Sequence, residues 1–409
     1  MQEVQLENKT IEDYREIVGN EVIDDLIKNA APLKNKKIIE INSTSAGGGV
    51  AEILKAKIPL LRNLGVDASW LVIPPDDDFF KVTKNIHNCL QGNCGQALKK
   101  TDTDYYIRYL NQISEKLPTD ADLYVLHDPQ TLGLINHLKG KKVIWRCHID
   151  LTEADQKALE WIQSFYPRFN KIVFSLDEYV KGFEHKKTTI IHPAIDPLST
   201  KNKFLRTYEA KKIITDLDVN TDKPYMLQVS RFDKFKDPIG VLKIFSMVRK
   251  FIPNLQCVLM GNYATDDPDG KIYYDLVMEK AQELKRHNIH IINKSDDLAV
   301  NALQTLADVV IQNSNKEGFG LTVTEALWKG RFVFSHPVGG IALQVLHDQT
   351  GFYLGYSDDA NADKIVDVLK NKEYYSHIEQ NAKEHVRKNF LITTMLGKFV
   401  NLYGEVLKL

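Results

Sequence analysis

The sequence predicts an α/β protein made of two doubly wound parallel-sheet domains. Three observations carry this. A chain of 409 residues is too long for one ordinary core. Short apolar runs alternate with amphipathic helical patterns along most of it, the mark of parallel sheets with crossover helices. The alternation breaks once, across residues 193–222, where Pro, Lys and Asp take over. The expected domains are therefore 1–197, with a helical extension at 1–35, and 198–385. A helical tail, 386–409, is long enough to cross back to the first domain.

Composition narrows the function classes. Apolar residues at 43% and charged residues at 26% give the profile of a globular chain rather than a disordered one. A formal net charge of −1 supplies no field for a nucleic acid or an anionic membrane. No apolar run approaches a membrane span, and the polar N-terminus lacks the core of a signal peptide. Cys89, Cys94, Cys147 and Cys257 show no zinc spacing, so reduced thiols and a cytoplasmic location are expected. Any anionic ligand must be met by local charge.

In chain order, Lys37–Asn42 is expected to be the first strand. It opens into Ser43-Thr44-Ser45-Ala46-Gly47-Gly48-Gly49 and then a helix with Val50, Ile53, Leu54, Lys57, Leu60, Leu61 and Leu64 along one side. Strand, glycine loop and helix can form a phosphate cradle, although this is neither GxGxxG nor a Walker loop, and a tight packing turn would also use glycines. Strands follow at 68–75, 122–127, 142–148 and 171–176. Two strand ends carry polar groups where such sheets bind ligands: His127-Asp128-Pro129-Gln130 and Arg146-Cys147-His148-Ile149-Asp150. A lone histidine is usually a satisfied core or surface residue; His148 stands apart because Arg146 and Asp150 flank it.

The second series runs 225–230, 257–261, 290–293, 309–313 and 332–336. Its first strand exits into Arg231-Phe232-Asp233-Lys234-Phe235-Lys236, whose cations can reach phosphate oxygens, Arg as a fork and Lys as a point charge. Asp266 to Gly270 lacks the spacing of a calcium loop and is expected to be an exposed turn. The apolar run Asp308 to Ile311 enters the loop holding Glu317; Gly318-Phe319-Gly320 then turns into a helix from Leu321 that carries Glu325, about two helical turns beyond Glu317. Amides at a helix start grip anions, and two carboxylates suit a sugar joined to a ribose diphosphate.

Taken together, the glycine loop, Arg231 with Lys236, Glu317 to Gly320 with Glu325, and Val338-Gly339-Gly340 resemble the retaining glycosyltransferases of family four. Their architecture is GT-B, two Rossmann-like domains facing across a cleft. The resemblance runs from Lys37 to Leu409. It narrows to the trehalose glycosyltransferring synthases through Asn42 to Ser45, Asn88 to Gly92, His127 to Gln130, Arg146 to Leu151, Ile195 to Ser199 and Gln228 to Asp233. Two departures exist: Lys234-Phe235-Lys236-Asp237 replaces a usual Trp-Lys-Gly with Lys236 kept, and Ala46 precedes the glycines.

The resemblance implies transfer of glucose from ADP- or UDP-glucose to glucose, with retention, forming trehalose in a reaction open to reversal. It implies Arg231 and Lys236 on the diphosphate, with amides of Gly48, Gly49 and the helix at Leu321. Glu325 would take the ribose hydroxyls. Glu317, with amides of Gly318, Phe319 and Gly320, would take the donor glucose. His148 would lie beside the anomeric carbon and the sugar's 6-hydroxyl, and Asp150, His148 and Arg146 would hold the acceptor. Catalysis is thus assigned to His148, Arg231, Lys236 and Glu317, with no metal site and no cofactor beyond the nucleotide sugar. The partners expected are NDP-glucose, glucose and trehalose, with no nucleic acid or membrane span; a homodimer stays open. Same-face attack is weighed against Glu317 as a covalent nucleophile. A different acceptor, such as a sugar phosphate or glycerol derivative, is the alternative.

Overall fold

The computed structural model describes residues 1–262, 268–284 and 288–409, with the side chains of 268 and 269 left aside. The chain divides into two compact units, Met1–Ala194 with Ile392–Leu409, and Ile195–Leu391.

The first unit is built on a seven-stranded sheet. Its strands are β1 (Gln2–Glu3), β2 (Lys37–Asn42), β3 (Asp67–Val72), β4 (Leu123–His127), β5 (Lys142–Arg146), β6 (Lys171–Phe174) and β7 (Thr188–Ile190). The order is β1-β3-β2-β4-β5-β6-β7. Every pair is parallel except β1 with β3. Residues such as Ile38, Leu123, Val125 and Ile144 are fully buried, as strands covered on both faces require. Strand order reverses between β2 and β4, so the loops leaving those strands open at a topological switch point.

The N-terminal stretch is helical over most of 11–33, as expected, but it is built into the first unit rather than added in front of it. Gln2 and Glu3 pair with Leu71 and Val72 as an antiparallel edge strand. The helix Asn20–Ala30 buries Ile23, Leu26 and Ala30 rather than standing apart. It packs on the C-terminal helix Ile392–Leu407, which also contacts the helix Gly48–Asn63 and buries Met395, Leu396, Phe399 and Tyr403. The last 18 residues of the chain therefore belong to the first unit.

The second unit holds β8 (Tyr225–Val229), β9 (Gln256–Gly261), β10 (Ile289–Asn293), β11 (Val309–Gln312), β12 (Val333–Ser335) and β13 (Phe352–Tyr353). All pairs are parallel, in the order β10-β9-β8-β11-β12-β13. The switch point lies between β8 and β11. Its core sits beneath the sheet and helices, around Met226, Phe245, Leu259, Ile311 and Phe334. The short strands β7 and β13 carry too few residues to show a pattern in sequence. Part of the turn expected at 266–270 lies outside the described residues; the chain is already helical from Pro268.

One expectation is overturned. Cys89 and Cys94, read as reduced thiols, are joined by a disulfide, because the chain turns back at Gln91 and Gly92 after the helix Asp77–Leu90. The cysteine argument for a cytoplasmic location falls with it. Cys147 and Cys257 remain free and buried. Among the described residues, no helix is long and apolar enough to cross a membrane.

Candidate active site

In the second unit the candidate residues converge on the switch point. The loop leaving β8 is shaped by its own side chains: the Asp233 carboxylate accepts from the Phe235 and Lys236 amides at 2.9 and 3.1 Å. The Gln228 side-chain amide donates to the Lys236 carbonyl at 2.7 Å, pinning that turn to the sheet. Phe232 is buried beneath it. The Asn315 amide donates to the Phe235 carbonyl at 3.0 Å, which ties this loop to the one leaving β11. Lys236 Nζ then meets Glu317 Oε2 at 2.5 Å, with both side chains only 13% exposed. Arg231 behaves differently: its guanidinium is 60% exposed and leans on Asp233 at 3.3 Å.

The chain approaches itself closely here. Asp237 caps the helix Pro238–Val248 by accepting from the Gly240 amide, and its other oxygen accepts from the Asn313 side chain at 2.8 Å. A Cβ on Gly240 would run into Asp237 Oδ2 and Asn313 Nδ2, so a larger residue would displace that hydrogen-bonded pair. Gly320 holds φ +83° at the start of the helix Leu321–Trp328. Gly340 lets the backbone of Phe319 pass, since its Cβ would lie 2.6 Å from the Phe319 Cα. The Gly340 amide donates to Gly318, and the Gln344 amide to Phe319. The loop from Glu317 to Gly320 is thus held from below, and its helix starts with amides that have no partner inside the helix.

Glu325 sits deeper than its expected role suggests, 1% exposed. Lys201 approaches its Oε1 at 3.9 Å. Lys329 donates to Asn202 at 3.1 Å and Gln304 at 3.0 Å. Burial lowers the Lys329 ammonium to about 8, against the pull of the Glu325 charge. Lys201 and Lys329 were missed in the sequence, because the boundary segment and a helix end give no pattern to flag them.

In the first unit the loop leaving β2 is knotted locally: the Asn42 side chain donates to the Thr44 carbonyl, and the Ser43 amide donates to the Asn42 side chain. Gly47 and Gly48 take φ of +76° and +75°, and a Cβ on either would meet nothing within 4 Å. Backbone conformation, not crowding, demands glycine there. Gly48 and Gly49 form the first turn of the helix Gly48–Asn63.

His148 follows β5. Its amide donates to the Asp128 carboxylate at 2.7 Å, and its Nε2 lies 3.1 Å from His127 Nδ1. His127 Nε2 lies 2.9 Å from Glu40 Oε2. Glu40 is fully buried and accepts from Tyr403 at 2.8 Å, while Lys57 sits 2.8 Å from the same oxygen with its ammonium over the Phe399 ring. Burial would raise the Glu40 carboxyl, but Lys57 and His127 overcome it and hold it down at about 2. Asp128 takes a left-handed φ of 58°, and burial raises its carboxyl to about 7. Arg146 is 1% exposed, donates to Ser175 at 3.2 Å, and is lowered to about 10 by burial. Asp150 accepts from the amide and hydroxyl of Thr152 at 2.9 and 2.6 Å. Glu40 and Lys57 were not singled out in the sequence, although a glutamate inside an apolar strand and a lysine on an apolar helix face were legible signals.

This fold, with polar groups at the carboxyl ends of both sheets, defines a glycosyltransferase of the GT-B class. The structure superposes on a crystal structure of Anabaena HepE in complex with UDP and glucose with a TM-score of 0.69 at 14% identity, covering 91% of this chain and all of that one. Residues 40–181 match the family described as trehalose synthase, N-terminal domain, and residues 209–385 match glycosyl transferases group 1. A trehalose synthase of Pyrococcus horikoshii is 38% identical over 404 residues, covering 97% of each chain. A trehalose phosphorylase of Grifola frondosa is 29% identical, covering 92% of this chain and 58% of that one. The chain belongs to the trehalose synthase family of group 1 glycosyl transferases. It is an enzyme, a trehalose-related glycosyltransferase.

Proposed function

We propose that the enzyme transfers glucose, with retention, from a nucleoside diphosphate glucose such as ADP- or UDP-glucose to free glucose, forming α,α-1,1-linked trehalose. One observation supports this above the others. At the switch point of the second sheet, a lysine able to take phosphate charge is held directly against a carboxylate able to take sugar hydroxyls, Lys236 on Glu317. A ligand carrying both chemistries side by side fits that pair.

In this reading Arg231 and Lys236 stabilise the diphosphate as its bond to C1 breaks, with amides of the helix at Leu321 sharing the charge. Electrostatic preorganisation of this kind is commonly the largest catalytic contribution. Glu317 and the amides of Gly318 to Gly320 hold the donor glucose, and Glu325 takes the ribose. The acceptor, for which Asp150, Arg146 and His148 are the proposed binding groups, forms the new C1–O bond on the face the phosphate leaves. Its hydroxyl proton passes to the departing phosphate oxygen. Glu317 serves as a binding group, since its oxygen is already engaged by Lys236, and the reading calls on no metal.

The test offers ADP-glucose, UDP-glucose and glucose 1-phosphate with 13C-1-glucose and reads the products by NMR. An α,α-1,1 signal with a nucleotide donor is expected. Product only with glucose 1-phosphate, or a glycosyl adduct trapped on Glu317, overturns the reading.

A further inference from the structure

The buried groups behind His148 form a directed chain. Glu40 Oε1 accepts the Tyr403 hydroxyl and lies 2.8 Å from the Lys57 ammonium as an ion pair, so it is committed as an acceptor. An ionised carboxylate has no proton to give, and Glu40 is held ionised by Lys57 and His127 against burial. The proton in the contact between Glu40 Oε2 and His127 Nε2 therefore sits on the histidine. Burial keeps His127 neutral despite Glu40, so its Nδ1 is a bare acceptor. The contact from that Nδ1 to His148 Nε2 can then hold a proton only from His148. The two rings lie within 14° of parallel, centroids 5.4 Å apart. Glu40 and His127 are buried, while His148 is partly exposed.

We propose that Glu40 and His127 are positioning residues that hold His148 in the tautomer with its proton on Nε2, leaving Nδ1 free to accept a hydrogen bond from a sugar hydroxyl. Which nitrogen of a histidine carries the proton is set by the bond its other nitrogen makes. Here the determinant is relayed through a second ring. Tyr403 adds the directional control, because its hydroxyl, with the Lys57 charge beside the same oxygen, fixes which end of residue 40 must accept. The use of Nδ1 by a sugar rests on the function proposed above; the tautomer itself does not.

Glu40→Gln makes the relay falsifiable. With Tyr403 and Lys57 holding the carbonyl oxygen of the new amide, its NH2 group must face His127. Both histidines then reverse, and His148 becomes the Nδ1–H form. Two-bond 1H–15N spectra of the full-length, 15N-histidine-labelled protein at pH 7, with His148 assigned through His148→Gln, read this directly. The wild type is expected to show a bare Nδ1 and a protonated Nε2, and Glu40→Gln the reverse. Turnover of the variant is expected to fall roughly ten- to a hundredfold, with KM for the nucleotide sugar unchanged. A wild-type His148 that is Nδ1–H or doubly protonated overturns the proposal without any variant, as does a Glu40→Gln spectrum identical to wild type. A wild type with the expected tautomer that transfers no glucose defeats the function reading and leaves the relay standing.

Discussion

The two sheets expose their switch points in opposite ways. Behind β2 and β4 the polar groups run inward: Glu40, Lys57, His127 and Tyr403 are all within 2% of complete burial. Beyond β8 and β11 the site is more open: Arg231 is 60% exposed, and Lys236 and Glu317 sit on loops with 13% of each side chain exposed. The first arrangement fixes one partly exposed ring through a chain of committed hydrogen bonds. The second offers charge to a ligand and relies on loop backbone to aim it. Buried polar chains are strong only when every member is satisfied, so damage to the two regions should read out differently.

The largest effect separating them is expected from Glu40→Ala. It strands the Lys57 ammonium in the core, and losing one partner of a buried pair costs about 3–5 kcal/mol. Urea unfolding should show that loss. A change below about 1 kcal/mol would mean the pair is not the buried unit described.

Next comes Lys236→Ala, expected to lower turnover on the order of a hundredfold or more while leaving the unfolding midpoint near wild type. Steady-state kinetics beside a melting curve decide it. A folded variant with full activity would remove Lys236 from the chemistry.

Tyr403→Phe is a smaller change on the inner side. It deletes one hydrogen bond to a charged acceptor and should cost about 1.5 kcal/mol. Amide exchange should quicken in the helix Ile392–Leu407, which carries it. Unchanged exchange there would show that the hydroxyl adds nothing to docking.

A pH signature sharpens the contrast further. The folded Glu40 carboxyl is held at about 2, below its unfolded value. Its contribution to stability is thus complete above the ordinary glutamate range, near about 4.3, and is lost as pH falls from there toward the folded value. Wild-type unfolding free energy should drop more steeply between pH 5 and pH 3 than that of Glu40→Gln. Parallel slopes would place the carboxyl in an ordinary environment.

The outward site was largely legible in the sequence, because its residues follow strands directly. Asp308 to Ile311 announces β11, Glu317 comes a loop later, and Arg231 with Lys236 leaves β8. The inward site was not. His127 and His148 were both noticed, yet nothing in a linear string says that β4 and β5 lie side by side and bring their ends to 3.1 Å. Lys57 was counted on the apolar face of its helix because its stem packs there and its charge is answered from another element. Cys89 and Cys94 meet through the turn at Gly92, which has φ +76°. β1 has two residues, and only its partner β3 makes it a strand.

The hydroxyl that caps Glu40 comes from a residue 363 positions later in the chain. In chain order the whole of the second unit, Ile195–Leu391, therefore comes before the helix that closes the first. A chain cut just short of Tyr403 would leave an unsealed, water-accessible glutamate in its first unit. Docking of that helix, rather than completion of the first sheet, is what shuts the histidine chain off from solvent.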